Sequence, residues 1–154
     1  MTATRVADTV AYNVARQLRF AAFIRGEGIV ATFLDHTIVP VRDREEAVEF
    51  YHRIFGFEDM GEVGPFMAVR VNETFTLDFR KEEDLQNIHY PFAMEPDEFE
   101  TAFANIRDSG IAYGDGPYTQ DNMKGPGMTM GAKGMGKAVY FKDPSGHTLE
   151  IKTY

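Results

Sequence analysis

The chain has 154 residues, of which 44% are hydrophobic, with thirteen Phe. That fills the core of one domain, or of two small modules sharing a core, and excludes wholesale disorder. A formal net charge of −8 without a basic cluster argues against a general nucleic-acid or membrane-surface binder. There is no cysteine, so disulfides, thiolate metal sites and a cysteine nucleophile are excluded, and a cytoplasmic location is compatible with the composition. No apolar run approaches the length of a membrane span.

The first elements are helical. Val10, Val14, Leu18 and Ala21 recur at helical spacing, so residues 4–25 read as an amphipathic helix that stops near Gly26 and Gly28. Arg16, Gln17 and Arg19 interrupt any signal-peptide core, although four arginines against Asp8 give a mild likeness to a transit peptide. The preferred reading is a helical extension, residues 1–30, that packs on the following domain or on a partner subunit. The domain itself is expected over 31–154.

Residues 33–41 form a strand signal. Asp43 then caps a helix with Glu46 three residues on, and Ala47, Phe50, Tyr51 and Ile54 make its buried stripe before Gly56 ends it. A weak strand near 57–62 and clearer ones at 66–71 and 73–80 follow. Glu82, Glu83 and Asp84 read as a solvated linker. The pattern then recurs: a strand at 88–94, Pro96 opening a helix with Phe99, Ala102, Phe103 and Ile106 on one face, Gly110 near its end, and a strand near 111–113.

The chain closes on a hairpin, 138–152. Asp143-Pro144-Ser145-Gly146 supplies a type I turn followed by a residue with positive φ, and Leu149 and Ile151 alternate with Thr148, Glu150 and Lys152. Thr76-Leu77-Asp78-Phe79-Arg80 parallels Thr148-Leu149-Glu150-Ile151-Lys152, and the strand carrying His36 parallels the one carrying His89. Two matches in the same places of two copies indicate a duplication, with modules at about 33–82 and 86–154. Between the last elements, 114–137 holds seven Gly, four Met and two Pro. It reads as a mobile flap over a site in preference to plain disorder, with Met128 and Met130 among its adaptable apolar contacts.

The period-2 count places His36, His89, Asp78 and Glu150 on the sheet face opposite the helices. Two neutral imidazoles and one carboxylate can hold Fe, Mn, Ni, Co or Zn on one side of the ion and leave positions open for chemistry. The plain alternative for each histidine is a hydrogen-bonded structural role. His147 in the turn and His52 on the outer helix face are expected to be exposed. Tyr140 beside Glu150 could orient substrate or relay a proton, or simply be a buried, satisfied tyrosine. Arg70 could bind an anionic substrate group or form a sheet-edge ion pair.

Leu34-Asp35-His36, Phe55-Gly56-Phe57, Ile88-His89 and Tyr140-Phe141 through Asp143-Pro144-Ser145-Gly146 to Glu150 carry a family resemblance. Over 33–154 the chain resembles the vicinal oxygen chelate superfamily of glyoxalase I, extradiol dioxygenases, fosfomycin-resistance thiol transferases and bleomycin-binding proteins. The resemblance implies an α+β fold of two βαβββ modules whose mixed sheets form an open cup with outer helices. It also implies metal ligands at His36, His89 and Glu150, and commonly a homodimer.

Asp78 occupies the fourth-ligand slot of glyoxalase-like members but is one methylene short, which ranks it as outer hydrogen-bond acceptor or general base above direct ligand. The expectation is therefore a divalent-metal enzyme, Fe2+ favoured over Ni2+, Zn2+, Mn2+ or Co2+, acting on a small substrate with vicinal oxygens, most simply dioxygenase-like. The rivals are a glyoxalase-type lyase or isomerase and a non-catalytic drug-binding protein. A thiol transferase is disfavoured because no potassium loop or phosphonate-binding basic cluster is visible.

Overall fold

The computed structural model describes residues 32–154, so the N-terminal helix expected over 4–25 lies outside the described residues. The elements run β1 (His36–Val41), α1 (Arg44–Phe55), β2 (Glu58–Val63), β3 (Phe66–Asn72) and β4 (Phe75–Lys81). They continue with β5 (His89–Ala93), α2 (Pro96–Asp108), β6 (Tyr113–Gly114), β7 (Gly127–Gly131), β8 (Gly134–Lys142) and β9 (Thr148–Thr153). Helix α1 begins where its sequence says. The Asp43 carboxylate accepts from the Glu46 N–H at 2.9 Å, and Gly56, at φ 74°, donates to the His52 carbonyl to end it. In α2 the Glu98 carboxylate accepts from the Glu95 N–H at 3.2 Å, and Pro96 sits in the first turn.

The first sheet has the order β1-β4-β3-β2 and the second β5-β9-β8-β6, with β7 paired to the other half of β8. In each, the first strand runs parallel to the last, and the other pairs are antiparallel. The same order in both halves is the α+β duplication expected from the repeat. The first module ends at Lys81 and the second begins at His89.

Alternation gives each sheet one greasy face. Val39, Val41, Val69, Leu77 and Phe79 from the first sheet and Val139, Phe141, Leu149 and Ile151 from the second join the stripes of α1 and α2 in one continuous core. Its centre is aromatic. Tyr51 packs on Phe79 at 5.1 Å and Phe92 at 6.4 Å between ring centroids, and Phe55 lies 4.9 Å from Phe92. These rings cross from one module to the other, so neither module has a complete core alone.

His147 is a correction to the sequence reading. It is completely buried, and it clasps the modules together. Its Nδ1 accepts from the Ile88 N–H at 3.1 Å, which puts the proton on Nε2, and Nε2 donates to the Pro40 carbonyl at 2.7 Å. Beside it the Ser145 hydroxyl accepts from the Arg42 N–H at 3.0 Å, and Tyr51 donates to the Asp143 carboxylate at 3.3 Å. The tight turn after β8 thus faces the other module instead of water.

The stretch 114–137 also differs from the expected structureless flap. Its second half is the β7–β8 hairpin. Gly127, Gly131 and Gly136 of that hairpin are strand residues with no room for a side chain. A Cβ on Gly131 would lie 2.4 Å from the Tyr154 hydroxyl and 2.6 Å from Lys152 Cε, and one on Gly136 would lie 2.4 Å from the Thr153 carbonyl.

Candidate functional site

The faces turned away from the helices carry the polar side chains, and register places them in rows. In the first sheet one row runs His36–Thr76–Arg70–Glu58, and the next contains Ile38, Asp78 and Ala68. In the second sheet the corresponding rows are His89–Thr148–Lys142 and Pro91–Glu150–Tyr140–Gly114. Partners across a ladder point to the same side, so His36 and Asp78 share a face, as do His89, Glu150 and Tyr140. All four metal-type donors lie where the period-2 count placed them.

One chain nevertheless holds them as two pairs. His89 Nε2 is 3.2 Å from Glu150 Oε2, a direct contact within the second module. His36 stays with Asp78, whose negative charge contributes to raising the imidazole pKa. Among the described residues, no three His, Asp or Glu side chains converge closely enough to hold one metal ion. The donor chemistry fits a divalent transition metal, and the His89–Glu150 spacing fits two of its ligands. Among the described residues, no third ligand stands at that spot.

Each pair has its own surroundings. The His36 side chain is 53% exposed, and its Nδ1 lies 2.8 Å from the Asp35 carboxylate. That bond is the main reason its pKa is raised, and it occupies Nδ1 of the ring. Asp78 is buried and accepts from the Thr76 hydroxyl at 2.8 Å. Arg70 pairs with Glu58 at 3.1 Å, the ion-pair alternative of the sequence reading, while standing in the row of His36 two strands away, about 10 Å on strand spacing.

In the second module His89 is 47% exposed and Glu150 is buried. Thr129 of β7 reaches the same place: its hydroxyl accepts from Tyr140 at 3.2 Å and lies 3.4 Å from Glu150 Oε1. Burial is the largest cause raising the Tyr140 pKa, so this phenol is a proton donor at neutral pH and not a base. Lys152, also buried, completes the group with its ammonium 3.2 Å from Glu150 Oε1.

Alternation along β7 turns Thr129 inward and sends Met128 and Met130 outward, where they are 60% and 70% exposed. The hairpin's Met face therefore lies on the side away from Glu150. Sequence reasoning missed Asp35, Thr129 and Lys152. Asp35 and Lys152 were signalled by adjacency, one residue before His36 and two after Glu150 on the same face, whereas Thr129 lay in a stretch read as loop.

Comparison with known proteins agrees with this architecture. No curated protein sequence matches the chain. Among solved structures, oxidase ChaP-H2 is similar at 32% identity, covering 81% of this chain and 95% of its own, with a TM-score of 0.70. Oxidase ChaP-H1 is similar at 33% identity, covering 80% of this chain and 97% of its own, at 0.69. A glyoxalase/dioxygenase from Nostoc punctiforme, 22% identical over 82% of this chain and 96% of its own at 0.60, shares the fold. A family model matches residues 33–151. On its repeated topology, its paired donors and that match, the chain belongs to the Glyoxalase/Bleomycin resistance protein/Dioxygenase superfamily.

Proposed function

We propose that this protein is a divalent-metal-dependent enzyme acting on a small substrate with vicinal oxygens, in the oxygenase branch of its family. The observation that carries the reading is the repeated histidine-and-carboxylate placement, with His89 and Glu150 in contact at 3.2 Å. Likeness to oxidases ChaP-H2 and ChaP-H1, at 32% and 33% identity, supports oxygen chemistry over the alternatives.

His36, His89 and Glu150 would hold the ion, with Fe2+ favoured over Ni2+, Zn2+, Mn2+ or Co2+. Because one chain supplies two separate pairs, the centre is completed in a homodimer, His36 of one copy joining His89 and Glu150 of another. When bound, the ion supplies Lewis-acid stabilisation of the negative charge that develops on two neighbouring substrate oxygens. Asp35 fixes the His36 ring through Nδ1. Asp78, beside His36, accepts a proton or orients a water. Arg70 attracts an anionic substrate group by exchanging Glu58 for it, and Tyr140 holds a proton at its hydroxyl through Thr129. Met128 and Met130, expected from the sequence to contact substrate, lie on the outer face of the hairpin and offer an apolar contact to the second copy. A cytoplasmic location fits the cysteine-free sequence.

Asp78 also favours a second reading, glyoxalase-type lyase or isomerase chemistry, since it gives the first module its own histidine–carboxylate pair. Metal analysis of protein purified without chelator decides between them. The expected result is near-stoichiometric iron, lost in His36→Ala and in Glu150→Ala, with oxygen uptake on catechol-like substrates. Nickel or zinc with turnover of hemithioacetals selects the second reading. A dimer mixed from His36→Ala and Glu150→Ala chains regains half of its sites if the centre is shared between copies. No metal in wild type, and none taken up from Fe(II), Mn(II), Ni(II) or Zn(II), leaves a non-catalytic binding protein.

A further inference from the structure

Among the polar side chains under the hairpin, Lys152 has no part in the reading above. It is also the most costly to place there. A buried ammonium is tolerated only when its donors are satisfied, and all three of this one are. They go to the Thr129 hydroxyl at 2.6 Å, the Thr129 carbonyl at 2.8 Å and Glu150 Oε1 at 3.2 Å. The Thr129 hydroxyl already accepts from Lys152 and Tyr140, so its own proton is directed to Glu150 Oε1 at 3.4 Å. One oxygen of Glu150 is therefore taken by two donors. The other, Oε2, lies 3.2 Å from His89 Nε2.

We infer that Lys152 is a positioning residue that reserves Glu150 Oε1 and so confines this carboxylate to a single ligating oxygen, Oε2. The inference rests on the metal reading proposed above and concerns a residue that reading does not use. A one-oxygen carboxylate occupies one coordination position where a two-oxygen carboxylate occupies two, which keeps a position open for a two-oxygen substrate. The arrangement is built, not incidental. Gly131 leaves room for the Lys152 shaft, the Tyr154 ring lies 5.8 Å from the ammonium, and β7 exists in the second module alone to present Thr129. In the first module the matching position, Arg80, turns to Glu82 instead, and Asp78 is held by the Thr76 hydroxyl.

Holding a cation against a metal ligand also weakens metal binding, and this gives the test its sign. Chelator-stripped full-length protein is titrated with Mn(II) alone, read by loss of the free-ion EPR signal. Wild type, Lys152→Met, Lys152→Gln and Glu150→Gln are run together, with circular dichroism to confirm folding. Lys152→Gln keeps a donor for Thr129 and covers the case in which Lys152→Met misfolds. The expected result is Mn(II) binding about tenfold tighter in both Lys152 variants, from removal of a nearby positive charge, and none in Glu150→Gln. A merely structural role predicts the reverse, because a loosened hairpin would weaken the site. Unchanged or weaker binding in folded Lys152 variants, beside a wild type that binds, overturns this inference and leaves the metal reading standing. No binding in wild type overturns both.

Discussion

The two modules share a frame and differ in what covers it. Row for row they match: His36 with Thr76 against His89 with Thr148, Ile38 with Asp78 against Pro91 with Glu150, Pro40 with Arg80 against Ala93 with Lys152. In the first module these polar groups are satisfied locally, His36 by its neighbour Asp35 and Asp78 by Thr76 two residues away. In the second, partners come from about twenty residues away, through Thr129 of the inserted β7. Duplication supplied two sets of donors. The hairpin then brought Thr129 to Glu150 and Lys152 in one set only. The two histidines are about equally exposed and both carboxylates are buried, so the halves differ in what holds the carboxylate: a neighbouring hydroxyl in the first, a hairpin threonine and a lysine in the second.

The strongest test of how far the modules are independent is to cut the core they share. Phe79 and Phe141 are fully buried at matching depth in the two sheets. Phe79→Ala or Phe141→Ala should each cost about 3–5 kcal/mol. Because the aromatic cluster crosses between modules, either variant should still unfold in a single transition by chemical denaturation. Two separated transitions would show that the modules fold alone. Next in size is the clasp. His147→Ala leaves the Ile88 N–H and the Pro40 carbonyl without partners, a loss of roughly 2–3 kcal/mol. His52→Ala, on an exposed helix face, should stay within about 0.5 kcal/mol.

Much of this comparison was legible in the sequence. Helix caps, apolar stripes and the two five-residue repeats have strong local signals, since capping and alternation are decided by neighbours a few residues apart. The same repeats located His36, His89, Asp78 and Glu150 on the right face. What the sequence could not show was convergence. Whether two correctly oriented sheet faces meet in one chain depends on how the modules pack, and that is decided by Tyr51, Phe92 and Phe141 acting across long separations. His147 was misread because a turn histidine is usually solvated, and only its long-range partners Pro40 and Ile88 bury it. The β7 strand was hidden by its glycines, whose reason is close approach to residues distant in sequence, Asp115 at Gly127 and Tyr154 with Lys152 at Gly131.

The hairpin gives a smaller and sharper test of the difference between the halves. Gly131→Ala forces a Cβ against the Tyr154 hydroxyl and the Lys152 shaft, and the neighbours must shift. The expected cost is about 1–2 kcal/mol, with faster amide hydrogen exchange over 127–131 and no change in β1 or β4. Faster exchange spreading equally to the first module would mean that the cover is not a feature of the second half alone.

The smallest effect compares the two hairpin turns. Between β3 and β4, Asn72 accepts from the Thr74 N–H at 2.9 Å in an exposed turn. Between β8 and β9, the buried Asp143 accepts from the His147 N–H at 2.8 Å and from Tyr51. Burial is the largest influence on Asp143 and raises its pKa above the usual 3.8, against the opposing pull of His147, the backbone N–H groups and Tyr51. A carboxyl raised by folding contributes stability that is fully present below 3.8 and is lost as pH rises through the higher folded value. Asp43 and Asp115, both lowered by hydrogen bonds, act in the opposite sense and in a window at and below 3.8, so they do not mask it. Denaturation midpoints measured upward from pH 4 should therefore carry a downward component in wild type that Asp143→Asn removes, since an amide oxygen still accepts from His147 without ionising. An identical pH profile in the two proteins would mean that the packed turn bears its charge at no cost. The second half would then differ from the first in burial alone.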